Sequence, residues 1–391
     1  MTSEPVSLVS QALALTKSPA FGAAGKAMGE LGVAGCIGAA CVKQKTVTPE
    51  MIRAMSKAIY NILLPLFIGT NLMKTVTSQG GRVGRSALAV PMTAALQAGI
   101  LFVLSSKIII PMFGMDPDSD EGKVLAITCC FGNAGVLPFI FSESVFRSNP
   151  QLLQQAYSQV SFFSAGWSPF FWSFVPKVLQ ISKKDPSLTT EKSGLAKMLR
   201  EIKMFFPPPV VGVCTGILIG LSPFSSLLLS NNQQEAAPLV VIYNSCQNLG
   251  KAASPLAVLV LTCSLAFGAQ KKSQKTTTDL SSETIVGPMR KWACVSTARF
   301  IVSPMVMLGM LYTMDSMGII GTREAEPMLW FTCMLQSVMP PAQNSVVLLQ
   351  VAGRSDEANQ MAKFLFTIYA TAMLPIIGMV TTALQSLHIV P

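Results

Sequence analysis

The 391-residue sequence predicts an all-α membrane protein with ten transmembrane helices in two inverted five-helix repeats and with crossed, broken helices 4 and 9. Three observations carry that prediction. Half of the residues are apolar, only 12% are charged against a usual share of about 25%, and the mean hydropathy is +0.50, so too little charge remains to wet a soluble surface. The apolar residues gather into ten runs with polar gaps between them. Two of those runs are interrupted by glycine or proline beside amide side chains, one in each half of the chain.

A bilayer core about 30 Å thick takes about 20 apolar residues of helix. Runs of that kind fall at roughly 25–42, 51–74, 84–112, 123–146, 152–180, 204–230, 237–269, 288–316, 327–352 and 357–388. They define a polar or interfacial tail at 1–24, a first five-helix repeat at 25–180, a short basic loop at 181–203 and a second five-helix repeat at 204–391. The tail lacks the basic start, apolar stretch and cleavage site of a signal peptide. With ten alternating spans, 20 of the 29 Lys and Arg fall in the gaps after the odd-numbered spans or at the adjacent helix ends. The positive-inside rule makes those gaps cytosolic, the 181–203 loop among them, and puts both termini on the other side. The acidic stretch Asp116, Asp118, Asp120, Glu121 falls on the cytosolic side, where acids count for little in that rule.

The formal charge of +10 belongs to this topology and not to nucleic acid, because the basic residues lie in gaps and not on one face with aromatics. The nine cysteines mostly sit inside apolar runs without metal-binding spacing and read as small buried hydrophobes. His388, the only histidine, stands three residues from the end and supplies neither a zinc site nor a catalytic pair. No catalytic residue, metal or cofactor is expected.

Span 4 (Thr128-Cys129 before Gly132) resembles span 9 (Thr332-Cys333 before Pro340) at an offset of 204, and span 5 resembles span 10 at 206. Spans 2 and 7 carry Pro65 and Pro255 before small polar pairs. Five spans per unit is odd, so successive copies insert with opposite orientation. A helix broken in mid-membrane survives only where protein or water covers its unpaired backbone groups. Two breaks are severe, at Gly132-Asn133-Ala134-Gly135-Val136-Leu137-Pro138 and at Met339-Pro340-Pro341-Ala342-Gln343-Asn344. Brought together by an inverted repeat, the second halves of these helices point positive N-termini into one place and bind an anion there. Gly132, Asn133, Gly135, Pro138, Pro340, Pro341, Gln343 and Asn344 are the candidate substrate-binding residues, with the amides giving orientation.

Secondary candidates are Asn61, Gln247, Asn248, Lys251 and Trp167. An intramembrane Lys251 either neutralises a substrate carboxylate, does the work of a coupling cation, or snorkels to an interface, and Arg299 stands under the same alternatives. Trp167, Phe163 and Tyr369 either flank a flat substrate or pack between helices. Asp and Glu, which ion-driven carriers place deep in the bundle, lie in gaps or near helix ends, with only Glu30 and Glu143 ambiguous. A potential-driven carrier of an organic anion fits this pattern, and a membrane enzyme or a non-transporting receptor or scaffold are the competing classes.

Gly132-Asn133-Ala134-Gly135-Val136-Leu137-Pro138 and Pro340-Pro341-Ala342-Gln343-Asn344 resemble the two broken-helix motifs of the auxin efflux carrier family, of PIN and PIN-LIKES type. Asn61 to Phe67 and Leu249 to Leu256 are similar to its helix 2 and helix 7 segments, and the resemblance covers residue 25 to the C-terminus. It implies elevator-type alternating access, a possible homodimer in the lipid bilayer, and a small organic anion such as indole-3-acetate or another carboxylate as substrate. The family's crossover residues carry over to Asn133, Pro138, Pro340, Pro341 and Asn344. The short central loop resembles that of the forms in the endoplasmic reticulum more than that of plasma-membrane carriers.

Overall fold

The computed structural model describes residues 19–78, 85–179, 206–229, 237–274, 286–387 and 389. Most of the 1–24 tail, the 181–203 loop and His388 lie outside them, as does the side chain of Glu30. All regular structure among the described residues is helical, and five helices there are long and apolar enough to cross a membrane: Pro49–Ser78, Leu88–Met112, Val240–Phe267, Gly287–Ser316 and Ser355–Ser386. Shorter apolar helices cover Gly32–Lys43, Leu137–Phe146 and Pro208–Leu221.

In chain order, α1 is Pro19–Lys43. Helix α2 runs from Pro49–Ala58 through a π turn at Ile59–Leu63 into Leu64–Ser78. Thr48 caps it by accepting from the Met51 amide at 3.3 Å, with Pro49 at the first helical position, where no donor is lost. Helix α3 runs from Arg85–Leu104 through a π turn at Ser105–Ile109 to Ile110–Met112. Next come α4 (Asp120–Cys130), α5 (Val136–Phe146) and α6 (Pro150–Val178). The second half holds α7 (Pro208–Leu221), the single turn α8 (Ser225–Leu228), α9 (Val240–Lys251) and α10 (Ala253–Gln274). Helix α11 joins Val286–Thr297, a π turn at Ala298–Val302 and Ser303–Ser316; α12 (Pro327–Ser337), α13 (Asn344–Val351) and α14 (Ser355–Ser386) follow.

Each π turn ends two residues before a proline, Pro65, Pro111 or Pro304. Proline lacks an N–H and its ring pushes on the carbonyl a turn earlier; one extra residue in that turn makes room, so these helices stay continuous. Ahead of Pro255 the accommodation goes further, and the chain steps at Ala252 between α9 and α10.

Two expectations need correction. The span at 204–230 is instead the 14-residue α7, started by Pro208 and stopped before Pro223. It packs on α2 through Gly212, Gly216 and Gly220, where an added Cβ would run into the backbone of Pro65 and Gly69 and the Val76 side chain. Small residues four apart let the two backbones approach, which lipid alone does not drive. The register between the two broken helices also differs. Helices α4 and α12 have 11 residues each and start at Asp120 and Pro327, 207 residues apart, so the Thr-Cys pairs matched at 204 stand almost one turn out of step.

The packing does not follow the halves of the sequence. Helices α2 and α7 associate most extensively, α10 lies against α1, and α3 lies against α6, where Gly166 lets α6 touch the backbone of Pro91. Helices α3, α6, α11 and α14 enclose the broken pair.

Candidate functional site

Both interrupted spans are open between their halves, α4 from α5 and α12 from α13, and the two unwound segments lie against each other. Gly132 and Pro341 form an antiparallel bridge, with the Asn133 amide donating to the Pro340 carbonyl at 2.7 Å and the Ala342 amide to the Phe131 carbonyl at 2.9 Å. The pair thus satisfies part of the backbone that each break exposes, which hydrocarbon would leave bare. Pro340 and Pro341 keep the chain extended here, and their missing amides need no partner.

Side chains lock the crossing. The Asn133 amide donates to the Tyr369 hydroxyl at 3.2 Å, its carbonyl oxygen accepts from the Gly135 amide at 3.3 Å, and Tyr369 donates to the Pro341 carbonyl at 2.9 Å. Ser164 and Gln336 both donate to the Ala134 carbonyl, at 2.7 and 3.3 Å. Gln97 donates to Ser303, and Ser303 to the Ser337 carbonyl at 2.6 Å. Helices α3, α6, α11, α12 and α14 are thereby tied to one point.

The two ends of the crossing differ. On the C-terminal side of α4 and α12 lies Arg299, 2% exposed, whose guanidinium donates to the carbonyls of Met339 (2.7 and 3.0 Å), Ser337 (3.2 Å), Cys130 (3.4 Å) and Gln336 (3.5 Å). Gly132 is the residue that admits it: a Cβ there would collide with the guanidinium. On the N-terminal side, α5 starts after Gly135 and α13 after Gln343, and neither helix has a side-chain cap. Both starts open on a cleft of about 660 Å³ walled by α2, α6 and α10. Asn71, Asn133, Gly135, Ser161, Ser164, Ser168, Gln343 and Asn344 give it polar groups, and Phe67, Phe139, Trp167 and Trp172 give it apolar walls. Three buried donors on the wall, the indole N–H groups of Trp167 and Trp172 and the Gln343 amide nitrogen, have no hydrogen-bond partner. Among the described residues no Asp, Glu, Lys or Arg lines the cleft.

Of the residues chosen from sequence, Asn133, Gly135, Gln343, Asn344 and Trp167 line this cleft. Gly132 lines a smaller cavity of about 230 Å³ beside Arg299, with Phe163 and again Trp167. Pro340 and Pro341 are buried in the crossing itself, and Pro138 is buried in the first turn of α5. Asn61, Gln247, Asn248 and Lys251 line neither cavity: Asn61, Asn248 and Lys251 are exposed, Asn61 donates to the Lys57 carbonyl, and Gln247 donates to Tyr243. Glu143 is exposed and pairs with Arg147 at 3.7 Å. The sequence reading missed Ser161, Ser164, Ser168 and Trp172, whose spacing of three or four along α6 is the signal that would have found them.

Residues 26–380 match the family described as membrane transport protein. The chain is 23% identical to PIN-LIKES 5 of Arabidopsis thaliana over 350 residues, 77% of this chain and 82% of that one. It is 21% identical to PIN-LIKES 3 of the same plant over 348 residues, 77% and 81% of the two chains, and 26% identical to PIN-LIKES 7 over 209 residues, 51% and 47%. With its apolar helices, this match makes it an integral, multi-pass membrane protein. The chain belongs to the membrane transport protein family, that of the auxin efflux carriers.

Proposed function

We propose that the protein is a carrier for an amphipathic organic anion of the indole-3-acetate kind, held in the cleft at the N-terminal ends of α5 and α13. The observation that carries this is one cleft with aromatic walls and no basic residue among the described ones, on which two uncapped helix starts open and which is lined by three residues with partnerless N–H donors. Each helix start presents about half a positive charge and free amides, enough to hold a carboxylate without a full counter-charge that would bind it too tightly to release. Phe67, Phe139, Trp167 and Trp172 suit a flat ring beside that carboxylate.

Ten spans in two inverted repeats and an elevator cycle complete the reading. In their support, a second cavity of about 610 Å³ is walled by Leu261, Thr262, Ala370 and Met373, which follow the cleft residues Asn71, Leu72, Ser164 and Trp167 by the same offsets as Pro255 follows Pro65 and span 10 follows span 5. Two cavities built from equivalent positions are what two access states of a duplicated carrier require. Net movement follows the membrane potential, about 2.3 kcal/mol per charge per 100 mV. We further infer a homodimer in the endoplasmic reticulum or plasma membrane with both termini on the non-cytosolic side.

The test is uptake and efflux of labelled indole-3-acetate and a panel of carboxylates in vesicles, with and without an imposed potential. Saturable, potential-dependent flux of aromatic monocarboxylates is expected. Inserted, folded protein that moves none of them would leave a receptor or scaffold as the better reading.

A further inference from the structure

Among the described residues Arg299 is the only buried arginine, it does not line the anion cleft, and no carboxylate lies within ion-pair distance of it. Its compensation comes from elsewhere. The carbonyls of Cys130, Gln336, Ser337 and Met339 belong to the unwound C-terminal ends of α4 and α12, each equivalent to about half a negative charge. The side-chain oxygen of Gln336, buried and without a hydrogen-bond partner, lines the same small cavity as the guanidinium and Gln97. Converging backbone carbonyls and half-helix C-termini are the oxygen donors with which discontinuous membrane helices hold alkali cations.

We propose that these oxygens form a latent monovalent-cation site and that Arg299 fills it as a tethered cation. A guanidinium is planar, permanently charged and rich in donors, so it satisfies several carbonyls at once and never dissociates. The ligand class that replaces it when the side chain is removed is free guanidinium first and sodium second. A consequence for transport, which rests on the carrier reading, is that the native protein needs no dissolved cation for its cycle.

The site itself is tested without transport, by thermal unfolding of the detergent-solubilised full chain in choline chloride with additions of guanidinium, sodium or potassium chloride in the tens of millimolar. Arg299→Ala is expected to melt several degrees below the native protein in choline and to regain at least half of that loss with guanidinium, while the native protein does not respond. Arg299→Met, which keeps bulk without charge, loses as much and regains nothing; Arg299→Lys keeps most of the stability and is indifferent to the salt. An Arg299→Ala protein that responds to no cation beyond choline, or an Arg299→Met protein that melts with the native one, overturns the proposal. If Arg299→Ala does not accumulate, Arg299→Lys must accumulate and Arg299→Met must not; equal accumulation of the two overturns it. Indole-3-acetate flux in proteoliposomes then addresses the consequence: equal native flux in sodium, potassium and choline is expected, and sodium-dependent native flux overturns that part. Absence of flux in every salt counts against the carrier reading alone, because the melting result still decides the site.

Discussion

The same pair of broken helices leaves two sets of helix ends of opposite dipole sign, and the protein treats them differently. At the C-terminal ends of α4 and α12, the carbonyl dipoles are covered by Arg299, which is part of the chain and buried. At the N-terminal ends of α5 and α13, the amides have no side-chain cap and face a cleft. A helix end in a membrane must be satisfied by something. Where the partner is built in, the end is structural; where it is left to arrive from outside, as in the function proposed above, the end becomes a binding site. The difference between the two sides lies in whether the counter-charge is tethered.

The sharpest way to break this comparison is steric. Gly132→Ala drives a Cβ into the guanidinium of Arg299 and to 3.1 Å from the Met339 carbonyl oxygen. Overpacking costs about 1–3 kcal/mol or more, and displacing a hydrogen-bonded buried charge about 3–5 kcal/mol. Little folded protein is expected, measured as the monodisperse fraction after solubilisation. Gly135→Ala is the matched change on the open side, where a Cβ meets nothing within 4 Å, and it should leave that fraction unaltered. Equal losses at both glycines would mean that the crossing is rigid at both ends and the cleft is not a free site.

Next in size is a change that makes the open end resemble the closed one. Gln343 is 4% exposed and stands at the start of α13, so Gln343→Glu puts a tethered anion where the substrate carboxylate is proposed to sit. Flux per folded molecule should fall tenfold or more, equivalent to about 1.4 kcal/mol of lost affinity. A fall in stability with flux preserved per folded molecule would place the anion elsewhere.

A smaller effect is expected where one hydroxyl is removed from the lock between the two ends. Tyr369→Phe deletes the donor to the Pro341 carbonyl and the acceptor for Asn133. Losing a hydrogen bond while leaving a buried carbonyl unpaired costs about 1–3 kcal/mol. A melting temperature lowered by a few degrees, with flux reduced less than in Gln343→Glu, is the outcome that keeps the lock and the site distinct.

Much of this geometry was legible in the sequence, and the reason is physical. Gly132, Gly135, Pro340 and Pro341 cannot continue a helix in hydrocarbon without covering protein, so their presence located the breaks, and the amides beside them located the cleft. The 207-residue spacing of α4 and α12 was not legible, because Thr-Cys pairs recur on apolar helices and a shift of about one turn leaves the pattern looking the same. Nor was α7: its prolines were visible, but hydropathy alone extended the span across Pro223. The donors of Trp172 and the α6 serines went unread since aromatic and small residues at helical spacing describe packing equally well.

The two intramembrane cations show why a charge in an apolar run is not by itself a site. Lys251 and Arg299 looked alike in sequence, each a lone basic residue inside a span. Arg299 stands on a π turn of α11 that faces the crossing and finds four backbone carbonyls; Lys251 is the last residue of α9, beside the step at Ala252, and is exposed. A lysine at a helix C-terminus gains at most about 1 kcal/mol from the dipole and keeps its ammonium in water or headgroups. Lys251→Ala should therefore change flux by less than about twofold, within the range of ordinary surface substitutions, and leave the melting temperature near the native value. A large loss of flux from Lys251→Ala would mean that α9 turns inward during the cycle and carries its charge to the substrate, and the division between a tethered and an open end would then describe only one state of the carrier.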